Sequence, residues 1–379
     1  MADTYWLEEP APSLPRLRHE GPADAVVIGG GVTGCAAALA LAEGGLRVRL
    51  LEARQIATGA SGRNGGFALR GGAMPYDRAR RQLGAERARA LWRMTERYLD
   101  RLESLAGDAF RRVGSLRLAA DPGERGELEA EFEALRTDGF AVEWQDGELP
   151  PGFSGAILHP PDGALQPARW VRRLALRAAE AGVEIREDRE VSSLAELDAE
   201  HVVVATDGYT RSLVPAIEAA VQPTRGQVLV TEPLPERRFE RPHYARHGFD
   251  YWQQTPDRRL VAGGRRDRNL EEESTGQEGT TDLVQEGLEE LVHSLLGRVP
   301  RITHRWSGIW GTTADDLPLA GAVPGHPGVW VACGYSGHGN VLGLACGELV
   351  AQAVLGRPDP LLELLDPGRI SGLEPGHVD

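Results

Sequence analysis

Residues 24–28, DAVVI, run straight into Gly29-x-Gly31-x-x-Gly34, and the small-residue stretch TGCAAALALAEGG follows before LRVRLLE at 46–52. A β-branched run, a glycine cluster, a helix and a second strand in that order predict a β-α-β unit starting near residue 23. Gly29 permits the tight turn, Gly31 lets the backbone approach a pyrophosphate, and Gly34 lets the helix pack close to the strand. The helix opens at Thr33, just after Val32, and its first turn offers unpaired N–H groups and the positive end of the helix dipole. Glu52 ends the second strand 18 residues after Gly34, where a carboxylate can accept both ribose hydroxyl hydrogens and would repel a 2′-phosphate. A glycine turn made for packing is the alternative for the motif alone; strand, helix and acid in register point to a dinucleotide, with NADP disfavoured.

The chain has no second strand-glycine-helix fingerprint, which removes a pyridine-nucleotide reductase with two nucleotide domains. An NAD dehydrogenase continues as further β-α units after the first. Here a long helical and β-rich insertion interrupts them, so FAD fits better.

At 379 residues the chain is long enough for two domains with a large core. Its 42 basic and 56 acidic side chains give a formal charge of −14, which disfavours nucleic acid as a partner. All the basic residues are arginine; there is no lysine, which excludes Schiff-base and P-loop lysines and lysine-based activation of oxygen. Cys35, Cys333 and Cys346 lack metal or dithiol spacing and sit in apolar segments, so free thiols are expected and no metal site. The acid- and proline-bearing N-terminus does not read as a signal peptide, and the apolar stretch at 35–42 is too short to span a bilayer. A soluble cytoplasmic protein is the expectation.

Leu91, Met94, Tyr98, Leu102 and Leu105 recur at helical spacing within 78–106. Strand-like 115–120, a helix over 123–137 and AVEW at 141–144 read as a separate α+β layer. A helix follows over 167–181 and strands within 183–206. The stretch 221–264 reads as an antiparallel sheet and the acidic segment 267–282 as a loop. GVWVACGYSGHGNVLGLACGELVAQAVLG closes the pattern as strand, glycine loop and small-residue helix, ending near Gly356. Two glycine-loop-to-helix devices, one near each end of the chain, imply convergence on one ligand.

Three other glycine-bearing turns are candidates. TGASGRNGG at 58–66 carries Ser61, Gly62, Arg63, Asn64, Gly65 and Gly66, either a wrap for a pyrophosphate or flavin edge or a flexible loop. Ala205 and Thr206 open ATDG after a strand, a weak signal by itself. Gly334, Gly337, His338, Gly339 and Asn340 open the last helix, whose dipole could stabilise negative charge at the edge of a reduced flavin. His338 reads first as a loop hydrogen-bonder and second as a direct participant.

Taken together, VVIGGGVTG at 26–34, LLEARQIATGASGRNGG at 50–66, VVVATDGYT at 202–210, PTRGQ at 223–227 and WVACGYSGHG at 330–339 resemble the D-amino-acid oxidase superfamily of flavoproteins. That superfamily includes glycine oxidase, sarcosine oxidase and gamma-glutamylputrescine oxidase. The Tyr5-Trp6 arm and SGRNGG look most like the last branch. The resemblance implies an α/β FAD-binding domain of glutathione-reductase type, Rossmann-like and discontinuous, over 23–78, 155–220 and 322–379, preceded by an arm over 1–22. It implies an α+β substrate domain with an antiparallel sheet over 79–154 and 221–321. It adds Ala53, Arg54, Val191 and Gly308 to the cofactor set. The implied reaction is oxidation of a carbon–nitrogen bond by hydride transfer to flavin N5, hydrolysis of the imine, and reduction of O2 to hydrogen peroxide.

The departures from the family pattern are informative. SGIWGTT at 307–313 places Trp310 where the amino-acid oxidases carry a carboxylate-clamping arginine. Asn340-Val341 stands where sarcosine oxidase has a lysine, and its flavin-linking cysteine would fall near Trp310. Dissociable FAD is therefore expected. So is an amine, or an amine with its charged end far from the reacting carbon, because an unpaired buried α-carboxylate costs several kcal/mol. The expected walls are Trp310, Tyr251, Trp252, Phe67 and His338, an aromatic set that suits an alkylammonium. Arg225 or Arg265 could supply the clamp from a new position. His338 would act by lowering the amine pKa or, ranked higher, by favouring oxygen reduction. Two other readings stay open: a flavin dehydrogenase of a hydroxy acid or polyol with a quinone or protein acceptor, and a catalytically silent flavoprotein subunit. The oligomeric state is left undetermined.

Overall fold

The computed structural model describes residues 4–15, 17–210 and 213–370, and they fall into two units. One holds Met1–Glu9, Arg63–Pro167 and Arg225–Gly308; the other holds Pro10–Gly62, Ala168–Thr224 and Ile309–Asp379.

The second unit is built on a six-stranded sheet in the order Leu319–Ala322, Val329–Cys333, His201–Val204, Ala25–Ile28, Val48–Leu51, Glu184–Arg186. All neighbours are parallel except the first pair, a hairpin. The central strand is buried at every position, which is why it reads as a continuous apolar run instead of an alternating one. The helix Val32–Glu43 is buried from Val32 to Leu41, so it shows no polar face over that stretch and is rich in alanine and leucine. The closing helix, Gly339–Val354, is built the same way and packs directly on it: Gly343 and Gly347 lie against Val32, Thr33 and Ala36. Small residues on both surfaces let two backbones approach closely. Cys35, Cys333 and Cys346 are all buried in this unit, and burial pushes the Cys346 thiol up to about 12.

The first unit carries most of an eight-stranded sheet in the order Ile302–Thr312, Gln222–Pro233, Arg259–Gly264, Asp250–Gln254, His243–Ala245, Ser115–Leu118, Ala156–His159, Glu143–Gln145. The antiparallel stretch at 221–264 is therefore present. The segments at 115–118 and 143–145, expected as a separate layer, instead extend the same sheet. A parallel pairing of His243–Ala245 with Ser115–Leu118 joins them, a long-range partnership that local spacing does not encode. The helix Asp282–Leu296 packs Val284, Leu288, Leu291, Val292 and Leu295 on the sheet, in one apolar cluster with Leu229, Trp252 and Leu260. Part of the acidic segment is helical, with Leu270–Glu273 capped by the Asn269 side chain. The long amphipathic helix is two, Tyr76–Leu83 and Ala85–Ala106, broken at Gly84 where φ is +83°.

Residues 63–78 and 155–167, expected with the nucleotide fold, belong to the first unit. Phe67–Ala68 and Phe110–Arg111 both pair with Gly163–Leu165, and that small sheet fixes all three segments together. Residues 309–321, expected in the substrate domain, belong to the second unit, where Thr312 bonds Thr224 through their hydroxyls at 3.0 Å. The arm expected over 1–22 divides after Glu9.

Candidate functional site

In the second unit the fingerprint glycines stand where strand meets helix. Gly29 has φ +110°, a conformation that side chains rarely adopt, and a Cβ there would lie 2.6 Å from the Ala205 carbonyl oxygen. A Cβ on Gly34 would overlap the Gly29 carbonyl. Gly31 is the N-cap of the helix, with no side-chain cap and no acid in the first turn. The Ser61 hydroxyl accepts the Val32 N–H at 3.0 Å, tying the 58–62 segment to the fingerprint.

Glu52 is positioned through both oxygens. Oε2 accepts the Gly30 N–H at 2.6 Å and Oε1 accepts the Arg54 N–H at 2.8 Å. Each carboxylate oxygen has a second lone pair, so two vicinal hydroxyls can be accepted as well. Arg54 also lies over the Tyr209 ring at 5.1 Å, while Ala53 is exposed. Val191 packs into the apolar cluster with Ile28, Leu51 and Val204. Gly62 is buried against Ala57.

The second glycine loop is brought to the first device by one bond: the Tyr335 and Thr33 hydroxyls lie 2.9 Å apart. His338 is the N-cap of the closing helix, partly buried, with its N–H donated to the Tyr335 carbonyl at 2.9 Å. That helix too has no side-chain cap and no acid in its first turn, and Asn340 is buried there. Trp310 is partly buried, its backbone against Gly208. The second unit thus gathers Gly29, Gly31, Val32, Thr33, Gly34, Glu52, Ser61, Ala205, Thr206, Trp310, Gly334 and His338. A fingerprint helix and a closing helix that both start without acids in the first turn, and a paired acceptor at Glu52, suit a dinucleotide with an anionic middle.

Arg63, Asn64, Gly65, Gly66, Phe67, Tyr251, Trp252, Arg225 and Gly308 lie in the first unit. There the loop after Arg63 is held by its carbonyl groups. Trp6 Nε1 donates to Asn64 O at 2.9 Å, and Gln253 Nε2 donates to Gly65 O at 2.6 Å and Gly66 O at 2.8 Å. Trp306 Nε1 donates to Arg63 O at 2.7 Å, and the Arg63 guanidinium pairs with Glu278 at 3.2 Å. The Tyr251 ring packs on Gly65 and meets Phe67 edge-on at 5.7 Å. Burial pushes the Tyr251 phenol well up, so it stays protonated and can only donate or accept as a neutral group.

Two sequence-based assignments are corrected. Trp252 is fully buried and stacks on His243 at 5.0 Å between Phe153 and Phe239, so it is a core residue and not a pocket wall. Arg225 is committed to the buried Glu273 through Nε and Nη2 at 2.9 and 2.8 Å. Arg265 is likewise paired with Asp250 at 2.7 Å. Sequence reasoning missed Asp207, whose carboxylate accepts the Gly311 and Gly334 N–H groups at 2.9 and 2.7 Å. The signal was the aspartate-glycine pair of ATDG, three residues past the end of the strand His201–Val204.

The DAO family, described as FAD dependent oxidoreductase, matches residues 24–353. The chain belongs to this family. It is 30% identical over 396 residues to the probable oxidoreductase OrdL of Rhizobium meliloti, a match covering 94% of this chain and 89% of that one. It is 27% identical to the gamma-glutamylputrescine oxidoreductase of Escherichia coli, covering 88% of this chain and 84% of the relative. Among solved structures, glycine oxidase from Geobacillus kaustophilus superposes with a TM-score of 0.75 at 23% identity, covering 93% of this chain and all of the other, which shows the shared fold. The family's cofactor agrees with the fingerprint, Glu52 and the paired helix ends. Among the described residues no helix is long and apolar enough to cross a membrane.

Proposed function

We propose that this protein oxidises the carbon–nitrogen bond of an amine, using FAD held without a covalent link in the second unit. Glu52 would hold the ribose hydroxyls, the turn at Gly29–Gly34 the pyrophosphate, and the Gly334–Asn340 loop the flavin end. When bound, FAD supplies the hydride acceptor. The substrate carbon loses a hydride and the nitrogen a proton. Water then converts the imine to a carbonyl compound and a free amine or ammonia, while O2 takes up the two electrons and two protons released from the substrate and leaves as hydrogen peroxide. The protein's own task is to orient the neutral amine and exclude water. In the second unit Trp310 offers aromatic surface for an alkylammonium, and His338 offers an imidazole at the helix end.

The observation that carries the choice of an amine over an α-amino acid concerns cations. Trp310 stands where the family's amino-acid oxidases have an arginine, and Arg225 and Arg265 are each already paired with a buried carboxylate. Similarity to the gamma-glutamylputrescine oxidoreductase supports the same choice. The test is anaerobic stopped-flow mixing of the FAD-loaded protein with alkylamines, diamines and their acyl derivatives, D- and L-amino acids, and hydroxy acids. Bleaching of the flavin by amines alone is expected, with peroxide released on admitting air and the flavin recovered in the supernatant after acid precipitation. Bleaching by hydroxy acids instead, or by none of these, would overturn the proposal.

A further inference from the structure

Asp207 adopts φ +47°, a region in which aspartate, asparagine and glycine are the residues tolerated. Its partly buried carboxylate collects backbone amides from three separate stretches of chain. Oδ2 accepts from Gly311 at 2.9 Å and Oδ1 from Gly334 at 2.7 Å, and the N–H groups of Gly208 and Tyr335 also point at it. Around it the backbones are too close for side chains: a Cβ on Gly208 would lie 2.5 Å from the Trp310 carbonyl carbon. The Ser336 N–H closes the cluster by donating to Gly311 O at 2.9 Å. The same short turn reaches the fingerprint, since Ala205 O lies against Gly29 and the Tyr209 ring lies under Arg54.

We propose that Asp207 is a positioning residue for the cofactor: its carboxylate holds the Trp310–Gly311 strand end and the Gly334–Tyr335 loop in one register relative to the dinucleotide turn. It touches the loops, and the loops touch the ligand. This rests on the reading of the second unit as the FAD site. A carboxylate suits the task because its oxygens accept several N–H groups at once, whereas an asparagine amide has one accepting oxygen and turns its NH2 toward a donor.

The experiment compares wild-type and Asp207→Asn apoprotein, both checked as folded by circular dichroism, for FAD affinity by fluorescence quenching and for the visible flavin spectrum. The Asn variant is expected to bind FAD about tenfold more weakly, the effect of one charge-assisted hydrogen bond, with displaced flavin bands. Weakening by less than that, with an unchanged spectrum, overturns the inference. Wild-type apoprotein that takes up no FAD refutes instead the cofactor reading on which it rests. Should Asp207→Asn fail to fold, hydrogen exchange in the wild type decides. FAD is expected to slow exchange in peptides 309–313 and 332–337 together; slowing in one alone, or in neither, overturns it.

Discussion

The Tyr335 hydroxyl lies 2.9 Å from that of Thr33, across 302 residues of sequence, and both are buried. This bond joins the first turn of the fingerprint helix to the loop that opens the closing helix. Tyr335→Phe leaves Thr33 Oγ1 without that partner, an expected loss of about 1–2 kcal/mol. Urea denaturation of Tyr335→Phe, Thr33→Val and the double variant checks it. The double variant should lose less than the sum of the singles.

Glu52 presents two oxygens, each already steered by a backbone N–H. Glu52→Gln removes the charge and one acceptor, so FAD affinity is expected to fall about ten- to a hundredfold. Titration of apoprotein with FAD measures this.

Arg225 and Glu273 form a buried pair, 9% and 0% exposed in their side chains, with Gln227 and Thr281 also donating to the carboxylate. Arg225→Met strands that charge and is expected to destabilise the fold by about 3–5 kcal/mol. Arg225→Met combined with Glu273→Met should recover most of the loss. Equal stability of the single variant and wild type in urea would show the pair to be replaceable by solvent.

Asp162 is buried beside Arg70, accepting its backbone N–H at 2.8 Å and the Ser115 hydroxyl at 2.7 Å, yet burial raises its pKa to about 6. The folded state therefore holds this proton more tightly than the unfolded chain, whose value is 3.8. The ionised form weakens the fold above about pH 6, and the penalty is relieved as the pH falls toward 4. Asp162→Asn, which can keep both hydrogen bonds, should flatten the dependence of unfolding free energy on pH between 4 and 6. An unchanged slope would assign that window to other groups.

The nucleotide half was legible because its signals are local. The apolar run at 25–28, three glycines and one acid fix a strand, a turn and a partner within one short stretch. The sheet of the other half was only partly legible. Ser115–Leu118 and His243–Ala245 meet in parallel across more than a hundred residues, and nothing in either segment names the other. The helix Asp282–Leu296 escaped because the acidic stretch before it masked where apolar periodicity resumes. Trp252 and Arg225 misled for one reason: residue type shows what a side chain can do, whereas burial against Phe239 or pairing with Glu273 decides what it is left to do. Asp207 is the converse, an ordinary turn residue in sequence that acquires its role from amides at Gly311 and Gly334.

The sealed state of Cys35, Cys333 and Cys346 makes the molecule its own reporter. A thiol kept protonated and out of solvent does not react with maleimide or iodoacetamide. Alkylation of the native chain will therefore be slow and will track opening of the fold. One label site lies within the fingerprint helix and two flank or enter the closing helix, so the pattern of tagged peptides reads which end loosens first.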